Sequence, residues 1–194
     1  MSRSLARAVP WFVSGALLVA AWFVAGATPD GEERITEPFP VAAEIGTPAV
    51  GRNLGVTVTD ARLADRVTFG GWYAEGTWLV LDLEAWVVHT ESPGALSAAT
   101  LTVGDRVFRA SERAQGYDSS ASLFSTGLSL AVPQSGSIAF ELPADIAADA
   151  DAAVVRLAIE TEFLGDSVIE LPVDISAVER VDELELAATE WITP

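Results

Sequence analysis

From Leu54 to Ile175 apolar and polar residues alternate with a period of two, the pattern of strands that bury one face. Leu54, Val56 and Val58 fall on one side, with Thr57 and Thr59 opposite. The clearest segment is 78–88, where Leu79, Leu81, Leu83, Ala85 and Val87 alternate with positions that include Asp82 and Glu84. A helix would set those carboxylates among leucines; a strand separates the two kinds. Residues 100–103 (TLTV) and 106–109 (RVFR) flank Gly104-Asp105, a two-residue loop suited to a primed turn, which places Leu101 opposite Phe108. Leu128, Leu130 and Val132 alternate next, Pro133–Gly136 reads as a turn, and Ile138, Phe140 and Leu142 alternate back. Val155, Leu157, Ile159 and Phe163 then oppose Arg156, Glu160 and Glu162. Finally Ile169, Leu171, Val173 and Ile175 oppose Val168, Glu170, Pro172 and Asp174. Pro172 has no N–H to give, so this strand lies on an edge or pairs on one side there.

About eight or nine short strands separated by Gly, Pro, Ser and Asp, with no helix–strand alternation, predict an all-β fold, an antiparallel sandwich of two sheets. The Ala/Asp-rich stretch 144–152 predicts a helical turn between strands. The tail after Ser176 carries five acidic residues and one Arg, yet also Val181, Leu184, Leu186, Trp191 and Ile192. Such a tail docks as an extra strand or on a partner.

The start of the chain breaks the alternation. Residues 8–27 (AVPWFVSGALLVAAWFVAGA) hold no charge, and a helix of that length spans ~30 Å, a bilayer core. Arg3 and Arg7 precede it, and Asp30, Glu32 and Glu33 follow, which puts the N-terminus in the cytoplasm and the rest outside. The sequence thus divides into a cytoplasmic start (1–7), a transmembrane anchor or signal segment (8–27), a linker (28–40), the sandwich (41–175) and an acidic tail (176–194). Ala25-Gly26-Ala27 also fits a signal-cleavage site. The apolar stretch exceeds the ~7–15 residues of a signal core, and Trp22 and Phe23 are bulky beside the cut, which favours a retained anchor. Both readings export residues 28–194.

The order R-x-L-x-V-T-V at Arg52–Val58, G-x-W-L-V-L-D-L at Gly76–Leu83, the Gly-Asp hairpin, and S-G-S-I-A-F-E-L-P at Ser135–Pro143 resembles the telokin-like bacterial immunoglobulin domains. The resemblance covers about residues 40–175 and implies an immunoglobulin-like sandwich outside the membrane, on a membrane-anchored or secreted actinobacterial protein of unknown function. It implies no catalytic signature, and this chain lacks the Cys pair of antibody-type domains.

Charge and composition narrow the chemistry. The 28 acidic residues outnumber 11 basic ones, every one an Arg, for a formal charge of −17. That excess repels a phosphate backbone, so nucleic acid is not an expected partner. Without Cys there is no disulfide, thiolate metal site or lipoprotein acylation, and without Lys no P-loop Lys or Schiff base. His89 is the single histidine and no G-x-S-x-G elbow exists, so a Ser–His–Asp triad has no footing. Asp82 and Glu84 share a strand face at a spacing a glycosidase could use, but in so acidic a chain such pairs arise by chance. Asp145, Asp149 and Asp151 share one loop without the EF-hand order; a solvated loop accounts for them better than calcium.

Aromatics suggest contact instead. Trp78 and Trp86 share a face with Asp82 and Glu84, Trp72-Tyr73 sit in the apparent loop 69–76, and Trp191 lies in the tail. Tryptophan suits binding surfaces; the alternative is that Trp78 and Trp86 cover the sheet beneath the linker or tail. The resulting expectation is a membrane-anchored, extracytoplasmic, non-enzymatic binding or accessory module, without cofactor, that meets the lipid bilayer through 8–27 and an envelope protein through Trp72, Tyr73, Trp78, Trp86 and Trp191. The alternatives are a secreted ligand- or calcium-binding protein released after Ala27 and, least favoured, an envelope hydrolase.

Overall fold

A computed structural model describes residues 13–24, 38–89, 94–146, 152–159 and 166–192. The chain divides into two units, 1–37 and 38–194. In the first, residues 13–24 form an α-helix whose residues are all exposed, including Leu17, Leu18, Trp22 and Phe23. Among the described residues no helix is long and apolar enough to cross a membrane. The remainder of the expected 8–27 segment lies outside the described residues.

The second unit is a β-sandwich. Its described strands are, in order, β1 (Phe39–Ala42), β2 (Ala49–Val50), β3 (Leu54–Phe69), β4 (Trp72–Val87), β5 (Gly94–Ala95), β6 (Ala98–Val103), β7 (Arg106–Arg109), β8 (Gly127–Leu128), β9 (Gln134–Leu142), β10 (Ala153–Ala158), β11 (Ser167–Val173), β12 (Glu179–Val181), β13 (Leu184–Glu185) and β14 (Glu190–Trp191). One sheet runs β1-β11-β10-β6-β7; the other runs β12-β3-β4-β9-β14, with β2 and β13 also on β3. Their facing sides form the main core, in which Leu54, Val56 and Val58 meet Leu79, Leu81, Leu83, Leu101, Phe140, Leu157 and Leu171.

The periodicity finds its physical expression in β4, whose odd residues 79–87 are buried while Asp82 and Glu84 are partly exposed. Leu101 pairs with Phe108 across a turn led by Gly104 at φ +58°, a conformation open to glycine at no steric cost. Pro172 pairs only toward β10, opposite Val154, because β1 stops at the partner of Glu170.

Other expectations are corrected. The sheets are not purely antiparallel: β1 runs parallel to β11, and β12 and β13 run parallel to β3. These are edge additions from distant parts of the chain, so no hairpin dictates their direction. The pair 128–132 and 138–142 does not form a hairpin about Pro133–Gly136. Only Gly127–Leu128 is strand, Ala131 turns at φ +56°, and β9 already begins at Gln134. Trp72 and Tyr73 are not in a loop, since Phe69 pairs with Trp72 across Gly70-Gly71 and β4 starts there. The tail docks as strands, one of the two expectations for it: β12 and β13 on β3, and β14 on β9.

Two register shifts mark β3, between Val58 and Asp60 and between Ala64 and Arg66. At the first the extra residue is Thr59 on β3; at the second Asp65 on β3 faces two unpaired residues, Gly76 and Thr77, on β4, and bulges of this kind bend and twist a strand. The consequence appears at the tail. The Leu186 N–H donates to the Thr68 carbonyl (2.8 Å), and the next N–H, of Ala187, donates to Ser137 Oγ (2.8 Å). Thr68 pairs with Tyr73 and Ser137 with Asp82. In a flat strand those β4 residues would stand about 30 Å apart at ~3.3 Å per residue. The sheet must therefore roll onto its outer face, bringing the outer edges of β3 and β9 close enough for two consecutive tail residues to bridge them. Inside the roll lies a second, smaller core of Ala64, Val67, Ala74, Trp78, Val80, Ala139, Leu184 and Leu186, closed by Ala114 and Ala121.

Candidate contact surface and the tail that frames it

On the outer face of β4, Asp82 is the hub of a polar cluster. Its Oδ1 accepts from Ser137 Oγ (2.5 Å) and its Oδ2 from Arg62 Nη2 (2.5 Å). Arg62 Nε also pairs with Asp60 (2.9 Å). Ser137 is buried and accepts the Ala187 N–H, so the carboxylate is coupled through one hydroxyl to the tail backbone. The arrangement fastens these strands together: one carboxylate oxygen is engaged by an arginine and the other by a serine.

Arginines tie the tail elsewhere. Arg180 pairs with Asp65, at the second register shift. Arg66 pairs with Glu75 (2.6 Å) and Glu183 (3.2 Å), and hydrogen bonds to those carboxylates raise its pKa further above the ordinary value. Asp174 caps the turn into the tail. It accepts from Ser176 Oγ (2.6 Å) and from the N–H groups of Ser176 and Ala177, chiefly the first of which holds its carboxyl below the usual value. In the loop over the second core, Asp118 accepts from the Ser120 N–H and hydroxyl, which hold its pKa down in the same way.

The five sequence-selected aromatics separate. Trp78 is 1% exposed and forms the floor of the second core, with Arg113 stacked 5.6 Å from its ring. It cannot touch a partner in this arrangement; the tail leucines cover it. Trp72 is half-buried against the same core. Trp86 is half-buried over its cross-strand partner Gly55, where a Cβ would sit 2.1 Å from the indole. Tyr73 (62%) and Trp191 (49%) are exposed. Tyr73 carries Arg66 over its ring at 5.3 Å. Nearby, the Tyr117 hydroxyl lies 3.1 Å from where a Gly71 Cβ would stand, and Tyr117 is itself 58% exposed. The hairpin tip thus presents Tyr73, with Tyr117 reaching it from the 112–118 loop. Periodicity gave no hint of Tyr117, a loop residue far away in sequence.

Asp145 is exposed and lies 3.5 Å from Arg106. Asp149 and Asp151 lie outside the described residues, among which no group of three side chains could hold a metal ion. His89 is exposed at the end of β4.

No protein-family model matches the chain, and no curated protein matches its sequence. Among solved structures it is similar to an uncharacterized β-sandwich protein from Clostridium difficile 630, with 6% identity, a TM-score of 0.47, and 71% of this chain and 96% of that one covered. It is also similar to a candidate lipoprotein from Staphylococcus aureus subsp. aureus NCTC 8325, with 10% identity, a TM-score of 0.44, and 72% and 96% covered.

Proposed function

We propose that this chain is an extracytoplasmic, non-enzymatic binding or accessory module of a bacterial cell envelope, held at the membrane by its N-terminal segment. The telokin-like, immunoglobulin-type resemblance belongs to the same reading. The observation that carries it is the helix at 13–24, which exposes apolar residues on every side, Leu17, Leu18, Val19, Trp22, Phe23 and Val24 among them. A helix apolar all round is at home in an apolar medium, not in water. The sandwich, in contrast, closes its own two cores within residues 43–186. Such a domain is suited to presenting a rigid surface.

The contact surface in this reading is the hairpin tip with Tyr73 and Tyr117. Tyrosine supplies large amphipathic area at low entropy cost, and the rolled sheet holds the tip in place. Protease added to intact spheroplasts tests the location: the domain is digested there, and protection until lysis overturns the reading. A native N-terminus at Thr28 would replace the anchor by a secreted form. A photo-crosslinker at Tyr73 tests the contact: it captures an envelope protein, and a yield unchanged by Tyr117→Ala argues against this tip.

A further inference from the structure

The two ends of the sandwich differ in chemistry. The end where the chain comes in from the N-terminal unit can be traced through a continuous set of hydrogen bonds. Phe39 N–H donates to Asp166 O (3.0 Å), Asn53 Nδ2 to Asp166 Oδ2 (2.9 Å), and Val88 N–H to Asn53 O (2.9 Å). The neighbouring Val87 holds the 129–131 loop, whose Ala131 N–H donates to Val87 O (2.9 Å). Pro133 O, two residues on, accepts from Ile192 N–H (3.0 Å). This one end therefore gathers Phe39, Leu130, Val132 and Trp191, which are 63%, 50%, 41% and 49% exposed. Leu130 and Val132 are presented by Ala131 at φ +56°. A side chain rarely takes that backbone conformation, so the loop is held in shape at some strain.

The other end is acidic. Asp105 caps the β6–β7 turn there, Asp145 follows β9, and Asp65, Glu75, Asp182 and Glu183 line an open cleft of about 350 Å³ around Arg66 at the bend of the long hairpin. At the apolar end Asp166 is engaged by Asn53, and Glu190 adjoins Trp191.

We infer that the apolar end is a lipid-contacting face, with Phe39, Leu130, Val132 and Trp191 seated in the headgroup–acyl boundary of the bilayer. The inference rests on the anchored reading above. Three observations select lipid over a protein partner. The apolar groups surround the point where the sandwich joins the residues leading to helix 13–24, which need span no more than thirteen positions (25–37). A Trp with short aliphatic loop residues is the composition that suits a membrane interface. Among the described residues the acidic groups cluster at the opposite end, so few charges have to leave water at the apolar one.

The absence of Cys from the sequence makes the test clean. Val132→Cys and Leu130→Cys, with Val107→Cys on the exposed edge strand β7 as reference, are labelled with a nitroxide in the full chain. Each variant is reconstituted in phosphatidylcholine vesicles and floated on a gradient. Collision with oxygen and with a water-soluble nickel chelate is then read by electron paramagnetic resonance. At 130 and 132 oxygen collision exceeds nickel collision, and at 107 the order inverts. Equal, water-like ratios at 132 and 107 in chains that float overturn the inference and leave the anchor standing. Protection from both reagents with spin–spin broadening also overturns it, in favour of a second copy on this face. Failure to float overturns the anchored reading and the inference together. Unchanged melting of each variant shows that the label has not perturbed the fold.

Discussion

Removing the Ser137 hydroxyl tests whether Asp82 fastens the tail. Ser137 is 1% exposed and bonds in two directions, to Asp82 Oδ1 and from the Ala187 N–H. Ser137→Ala removes one charge-assisted and one neutral hydrogen bond and leaves a backbone donor without that acceptor, a cost of roughly 2–4 kcal/mol. In a domain of this size that lowers Tm by about 4–16 °C. Asp82→Ala removes the same bond from the other side and also the Arg62 contact, while Arg62 keeps Asp60; its cost falls in the same range. Because both substitutions break one shared interaction, the double variant costs less than their sum by about 1–2 kcal/mol. Urea unfolding followed by tryptophan fluorescence gives the three free energies, and amide exchange at Ala187 reports the tail directly. Strict additivity, or an Ala187 amide as protected in Ser137→Ala as in the parent, refutes the fastening role.

Leu186→Ala opens space in a core built largely of alanines; a loss of about 2–5 kcal/mol in urea unfolding is expected, and a loss under ~0.5 kcal/mol means that the tail does not seal that core. Deleting residues 177–194 uncovers the β3 and β9 edges, so light scattering should detect concentration-dependent self-association absent from the full chain. A monodisperse truncated protein contradicts this. Acid lability should come partly from Asp118 and Asp174. Their folded pKa values lie below the ordinary one, so their contribution is complete above the unfolded carboxyl value of about 3.9 and is lost as pH falls through the lower folded values. Asp118→Asn with Asp174→Asn should flatten the stability profile below about pH 4, and an unchanged acid limb in the double variant rules these two out.

Where one face is buried and the other wet, residue type alone reveals the strand. That held for 79–87, for the Gly104 hairpin and for the one-sided pairing at Pro172. It failed where both faces are covered. The outer side of β4 carries Asp82 and Glu84, which read as solvent-facing, yet Trp78 and Val80 on that same side are buried beneath the tail. No local pattern announces a covering layer supplied from a hundred residues away. The register shift between Asp65 and Gly76-Thr77 was equally silent, although with a regular alternation there Ala64 and Val67 would not both face the second core. Trp191 and Tyr73 were legible as aromatics but not as the exposed members of the set, and Tyr117 gained its place from Gly71, a neighbour only in three dimensions. Docking of the tail as a strand was one of the two expectations its apolar residues raised; what was not legible is how its residues divide by face, with Leu184 and Leu186 inward while Glu183 meets Arg66 and Arg180 meets Asp65.

Edge control gives these features one physical logic. A sixteen-residue strand such as β3 would present a long row of unpaired backbone groups to any other chain. Here β2, β12 and β13 occupy that edge in turn, and Leu186 closes it at Thr68. On β9 the outer edge is met by Glu190 and Trp191, then by Leu123 and Ala187 at Ser137, then by Ser111 at Ala139. The second sheet ends instead in short strands, β1 with Pro40 and β7 with Arg106 and Arg109 at its ends, a proline lacking an N–H and charges that discourage stacking. The tail is thus the element that covers the edges of a long, bent hairpin within one unit. Bending puts the Gly70-Gly71 tip beside Tyr117, and the same bend needs a strap across its open side. The contact surface and the acidic C-terminal segment are two consequences of one roll in one sheet, so a change that loosens the strap must also disturb the tip.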